Sequence, residues 1–143
     1  MIIPFVPEHA LELRQKLQEG QKGTAVDLAH GETMARGHCA WTCVNADFDA
    51  VAAAGILPMW PGRGLAWALI SEDAGPHMRE VTKATIAALD CCPCTRVELY
   101  VRPGFHQAFR WAKMLGFEYE AVLEEADPRG GDMAIFKRVR RNG

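Results

Sequence analysis

Leu65-Ala66-Trp67-Ala68-Leu69-Ile70 is an unbroken apolar run, Ser71-Glu72-Asp73-Ala74-Gly75-Pro76 is a turn, and Arg96-Val97-Glu98-Leu99-Tyr100-Val101 alternates polar with apolar side chains. The first run suits a central strand covered on both faces, and the alternation suits a second strand. Between them Met78, Val81, Thr82, Thr85, Ile86 and Leu89 share one helical face, while Arg79, Glu80 and Lys83 fall largely elsewhere. Pro76 suits a first helical turn. A helix between two strands is a crossover, so strands 65–70 and 96–101 should run parallel and adjacent.

Working toward the N-terminus, Pro61-Gly62-Arg63-Gly64 reads as a hairpin turn and Val51 to Trp60 as a strand. Cys39, Trp41 and Cys43 alternate with smaller residues as a further strand, closed by the turn Asn45-Ala46-Asp47-Phe48-Asp49. These strands make an antiparallel meander. Ile2 to Val6 reads as a short first strand, followed by a helix from Pro7 carrying Ala10, Leu13 and Leu17 and ended by Gly20 and Gly23. Thr24 to Arg36 reads as a second short helix with Val26, Leu28 and Ala29, punctuated by Gly31 and Gly37. On the other side, Cys91 to Cys94 breaks the crossover helix. Pro103-Gly104 opens another with Phe105, Ala108, Phe109, Ala112 and Leu115, ended by Gly116. Tyr119 to Glu125, the turn Asp127 to Asp132 and Met133 to Phe136 complete a last hairpin.

At 143 residues, with 49% apolar and 24% charged side chains, the composition excludes a disordered chain, a collagen and a disulfide miniprotein. One domain over 1–139 is expected, with a basic tail at 140–143 that Lys137 and Arg138 lead into. Sixteen basic against 18 acidic residues leave a net charge of −2, which argues against nucleic acid as a partner. No apolar stretch reaches the roughly 20 residues of a membrane span. Met1-Ile2-Ile3-Pro4 lacks a basic leader region, so a cytoplasmic protein is expected. Five cysteines, an odd number, suit a reducing compartment better than a set of bridges. Cys39, Cys43 and the 91–94 cluster, joined by His38, are the zinc alternative; their spacing forms no paired knuckle, so buried or incidental thiols and no metal are expected.

The segment Ala108-Phe109-Arg110-Trp111-Ala112-Lys113-Met114-Leu115-Gly116-Phe117, in this order of elements, resembles the late helix of the GNAT N-acetyltransferase superfamily. Ala108 and Leu115-Gly116-Phe117 match that family's pattern, in which a glycine ends the helix and the aromatic packs back on the sheet. The resemblance implies an α+β fold in α/β/α layers: a mixed, mainly antiparallel sheet with a central, splayed parallel pair and flanking helices. It implies acetyl-CoA as co-substrate, lying between strands 65–70 and 96–101 with its pyrophosphate at the start of the next helix. The binding residues so implied are Leu69, Ile70, Ser71, Gly75, Pro76, His77, Met78 and Arg79, with Phe105 and Phe109 from the late helix.

The chain also departs from the pattern. A single Gly75 beside Pro76 replaces the usual glycine pair, and Glu72 and Asp73 add negative charge beside the expected phosphates. The family's general-acid tyrosine falls on Ala112 and its pantetheine-facing asparagine on Phe105. Glu72 as base and Tyr100 are then the catalytic candidates, with His106 and backbone N–H groups near Ile70 also in reach. Each has a plainer reading: a solvated carboxylate, a core tyrosine, a surface histidine. Ala54-Gly55-Ile56-Leu57-Pro58 further resembles GNAT-like proteins of tailed phages, including an internal-virion-protein group. Two functions stay open. One is an N-acetyltransferase acting on an amine of a small molecule or protein. The other is a catalytically degenerate binding protein that engages a bacterial host protein, in the host cytoplasm, or serves in the virion. Met59, Trp60 and Trp111 could anchor such a contact or lie in the core, and an edge strand near the C-terminus would allow a homodimer.

Overall fold

The structure, a computed structural model, describes residues 1–22 and 28–140, the side chain of His38 excepted. Its elements are β1 (Ile2–Pro4), α1 (Pro7–Arg14), a single-turn helix at Glu19–Gln21, α2 (Leu28–Ala35), β2 (His38–Val44), β3 (Ala50–Trp60) and β4 (Arg63–Ile70). A second single-turn helix at Gly75–His77 leads into α3 (Met78–Cys91), followed by β5 (Arg96–Val101), α4 (His106–Met114), β6 (Glu118–Leu123) and β7 (Met133–Val139). Among the described residues the strands form one seven-stranded sheet in the order β1-β2-β3-β4-β5-β7-β6. β4 and β5 are parallel, as the α3 crossover requires, in the register Arg63↔Arg96, Gly64↔Val97 and Leu65↔Glu98. The pairings of β1 with β2, β2 with β3, β5 with β7 and β6 with β7 are antiparallel.

Several bounds differ from those the sequence suggests, for local reasons. α1 stops at Arg14, well before Gly20, because the following residues hydrogen-bond to β4. Pro76 sits in the single-turn helix rather than in α3, and α3 runs through Cys91. Pro103-Gly104 forms a turn with Gly104 at a φ of 90°, so α4 begins only at His106. β7 runs on to Val139, which makes Lys137 and Arg138 strand residues rather than a trailing tail. The expected alternation in β2 breaks at its bulge between His38 and Trp41, where Cys39 takes a positive φ of 54° and turns outward. Gly23 and 24–27 lie outside the described residues.

The chain forms two compact units. The first comprises Met1–Leu57 and Ala66–Cys92. Its core is Phe5, Ala10, Leu13, Leu17, Ala50, Ala53 and Leu69, with Met34, Ala40 and Trp67 packed against it. Two glycines are needed for this packing. A Cβ on Gly31 would lie 2.9 Å from the Pro7 carbonyl oxygen, and one on Gly55 would lie 2.8 Å from the Trp67 ring. The absence of a side chain at Gly55 therefore leaves room for the Trp67 ring over β3.

The second unit comprises Pro58–Leu65 and Pro93–Gly143. Phe136 on β7 is fully buried and meets the rings of Phe109 and Tyr119 edge-on, with centroids 5.1 and 5.8 Å away. α4 ends in a Schellman motif: Gly116 N–H donates to Lys113 O and Phe117 N–H to Ala112 O, both at 3.0 Å. Gly116 has a φ of 92°, and Phe117 is buried. A Cβ there would also crowd Arg138 Nε at 3.2 Å. Gly116→Ala should accordingly lower the unfolding free energy by about 1–2 kcal/mol in urea denaturation. Gly75 has no positive φ and open space around it, so Gly75→Ala should stay within roughly 0.5 kcal/mol of wild type.

Candidate functional site

The end of β4 and the turn before α3 hold most of the residues that the sequence singles out, and all of these lie in the first unit. Leu69 is buried in the core and Ile70 has a buried side chain, so each can offer a ligand only backbone. Ser71 is buried as well; its Oγ accepts the Asp73 N–H at 3.0 Å. Glu72 and Gly75 are exposed, and His77 is half-buried at the N-terminal boundary of α3. The positive end of that helix favours an anion here. Yet most of the backbone donors of the turn already have acceptors. Ser71 N–H donates to Val51 O, Glu72 N–H to Lys16 O, Ala74 N–H to Ser71 O and His77 N–H to Ala74 O. Met78 N–H donates to Gly75 O.

The edge of β4 is also occupied. Gly62 O accepts Arg96 N–H, whereas Ser71 N–H donates to Val51 on β3. Even-numbered residues of β4 therefore present their backbone groups on the β5 edge and odd-numbered ones on the β3 edge. On the even edge beyond the β5 register, Gln21 Nε2 donates to Ala68 O at 2.7 Å, and Ile70 N–H donates to Gln21 Oε1 at 2.8 Å. Gln18 N–H donates to Ile70 O at 2.8 Å, and Leu17 and Ser71 form an antiparallel bridge. Lys16–Gln21 thus lies along β4 as a strap, and the N–H of Ile70 that the sequence marks as a candidate donor is taken by Gln21.

In the second unit, Tyr100 is half-buried and its hydroxyl donates to Glu98 Oε2 at 3.4 Å. Burial first, then the Glu98 charge, pushes the Tyr100 hydroxyl above its ordinary pKa, so it keeps its proton at neutral pH. Glu98 is fully buried; its Oε1 accepts from Arg63 Nε at 2.6 Å and Arg96 Nε at 2.7 Å. A buried carboxylate needs such partners, because desolvation would otherwise disfavour its charge. Arg96 continues to Glu120 through Nη1 and Nη2 at 3.2 and 2.6 Å, and Lys137 Nζ sits 3.2 Å from Glu120 Oε2. Phe105 caps α4 half-buried, His106 is exposed, and Phe109 packs on Phe136. Ala112, at the position of the family's tyrosine, is buried. Met59 and Trp60 are exposed near the β3–β4 turn, with the Arg63 guanidinium 4.5 Å from the Trp60 ring centroid.

Sequence reasoning missed Glu98, Arg63, Arg96, Gln18 and Gln21. Glu98 falls on the polar face of an alternating strand, so local patterning does not mark its burial, and nothing in local patterning marks the glutamines. Among the described residues, one group of potential metal donors comes together, Cys43, His77 and Glu80. It shares only Cys43 with the thiol set that the sequence offers.

Solved structures share this architecture over nearly the whole chain. Ard1 from Thermoplasma volcanium matches with a TM-score of 0.82 at 16% identity, covering 99% of this chain and 98% of that one. The ribosomal-protein-S18-alanine N-acetyltransferase from Escherichia coli matches with a TM-score of 0.77 at 13% identity, covering 100% and 96%. A mutant of the spermidine N-acetyltransferase SpeG from Vibrio cholerae matches with a TM-score of 0.68 at 9% identity, covering 97% and 94%. The fold is GNAT-like: a mixed α+β architecture with one parallel pair in a mainly antiparallel sheet. No protein-family model and no curated protein matches the chain. Among the described residues no helix is long and apolar enough to cross a membrane.

The ion network has a definite acid dependence. Hydrogen bonds from Arg96, then from Lys137, hold the Glu120 carboxyl down at about 2, below its ordinary value of 4.5. A depressed carboxylate stabilises the fold above its unfolded pKa and loses that contribution as pH falls through its folded one. Glu120→Gln should be less stable than wild type at neutral pH. The gap between their melting temperatures should shrink from about pH 4.5 downward and close near pH 2.

Proposed function

We propose that the chain binds acetyl-CoA and transfers its acetyl group to an amine. The observation that carries this reading is the β4–α3–β5 crossover of a GNAT-like sheet, with the helix start of α3 directly after the β4 turn. The pantetheine would use the even edge of β4, and the pyrophosphate would lie at Ser71–Arg79, where Gly75 leaves open space and Arg79 adds a positive charge. In the reaction the amine nitrogen bonds to the thioester carbonyl carbon and the carbon–sulfur bond breaks. The amine gives up a proton and the leaving sulfur takes one. Glu72, an exposed carboxylate in this turn, is the base, and Tyr100 has the protonated hydroxyl that an acid needs.

A second reading, a GNAT-like binding protein without catalysis, is favoured by the buried Ala112 and by the taken donors of the turn. The Ala54–Pro58 likeness adds to it a phage origin and a bacterial host protein as partner. The position of β6 at the end of the strand order adds a homodimer.

Calorimetric titration with acetyl-CoA, followed by assay of free thiol with an amine present, tests the first reading. Binding with thiol release supports the transferase; no binding at millimolar acetyl-CoA sinks it; the second reading is tested by pull-down from a bacterial lysate and loses support if no stoichiometric partner is retained. Gly75→Glu should weaken binding by placing charge and bulk at the helix start, and unchanged affinity would place the ligand elsewhere. Because Gln21 holds Ala68 O and Ile70 N–H, Gln21→Ala should tighten binding by about 5- to 30-fold, the equivalent of about 1–2 kcal/mol for two neutral hydrogen bonds.

A further inference from the structure

We propose that Cys43, His77 and Glu80 form a binding site for a divalent transition metal of the zinc class. Cys43 Sγ, one His77 ring nitrogen and one Glu80 carboxylate oxygen all lie within 4.8 Å of one another. His77 and Glu80 are three residues apart at the start of α3, a spacing that puts two side chains on one helical face. Cys43 projects from β2, against which α3 packs. A tetrahedral zinc ion with donors at its usual bond lengths holds them about 3.5 Å apart, so the set closes with side-chain movements of about 1 Å.

The chemistry of the spot favours a cation. Cys43 S–H donates to Glu80 Oε1 at 3.2 Å, so a proton already bridges sulfur and carboxylate. The same oxygen accepts the Met1 ammonium at 2.8 Å. A metal would replace both positive partners: the thiol proton leaves to solvent, sulfur binds as thiolate, and Glu80 exchanges an ammonium for the ion. Thiolate, imidazole and carboxylate together suit zinc or cobalt and exclude a hard cation such as magnesium or calcium. Three side-chain donors leave a fourth position for water. The site uses β2 and α3 donors and does not depend on acyl-CoA binding.

Titration of the full chain with Co²⁺ under reducing conditions tests the site directly. A thiolate-to-cobalt charge-transfer band in the near ultraviolet should rise to one equivalent, with one proton released per ion and displacement by Zn²⁺. The band should persist in Cys39→Ser and Cys91→Ser, which remove the exposed thiols, and disappear in Cys43→Ser. No band at millimolar Co²⁺, or a band that survives Cys43→Ser, overturns the site. Cys43 is buried, so its variant could fail to fold; His77→Ala and Glu80→Gln then decide. Each should weaken Co²⁺ binding by roughly tenfold or more, and unchanged affinity in both overturns the proposal.

Discussion

A strand has two hydrogen-bonding edges, and every buried backbone donor or acceptor on either must find a partner. β4 makes this constraint visible along its whole length. Its odd-numbered edge faces β3, to the point where Ser71 N–H reaches Val51 O. Its even-numbered edge begins with β5 at Gly62 and Arg63–Leu65, and from Ala68 to Glu72 it is satisfied by Lys16–Gln21 instead. The early end of α1, the bridge between Leu17 and Ser71, and the placement of Gln18 and Gln21 all follow from that demand. A pantetheine offers an amide-bearing chain of the same hydrogen-bonding type. If the proposed pantetheine lies on this edge, it competes with the strap for the Ala68 and Ile70 backbone groups that Gln21 now holds.

Charge tells a parallel story at local scale. The net charge of −2 says nothing of Glu98, whose carboxylate lies fully buried and held by two arginines. Removing one arginine would leave a buried charge short of a partner, which costs far more than an exposed ion pair contributes. The network fixes the start of β4 to β5 through Arg63 and Arg96, residues that are themselves paired in the parallel register.

What was legible in the sequence was whatever a local pattern encodes. Helical spacing from Met78 to Leu89 between two strand-like runs was enough for the parallel pair, and Leu115-Gly116-Phe117 was enough for the helix end, because a Schellman motif is built from consecutive residues. Boundaries were less legible where tertiary partners decide them. Leu17 continues the apolar spacing of α1, yet it bridges to Ser71 because β4 needs an edge partner. Cys39 continues the alternation of β2, yet a bulge turns it outward. The candidate site was legible as a segment, Leu69 to Arg79, and not as a set of free donors. Whether an N–H is available depends on residues 16–21 and 51, which no reading of the turn alone can include.

Cys43, His77 and Glu80 carry no spacing signature in the sequence. Knuckle patterns record donors that neighbour each other along the chain, whereas Cys43 meets His77 and Glu80 only because α3 lies on β2. The five thiols then divide by environment rather than by number. Cys92 and Cys94 are buried, Cys39 and Cys91 are exposed, and Cys43 is buried beside a carboxylate and a histidine. Among the described residues, only the last arrangement combines a thiol, an imidazole and a carboxylate within reach of one ion. His77 also belongs to the turn expected to take the pyrophosphate. An ion held there would add positive charge at a place where Glu72 and Asp73 otherwise oppose an anion.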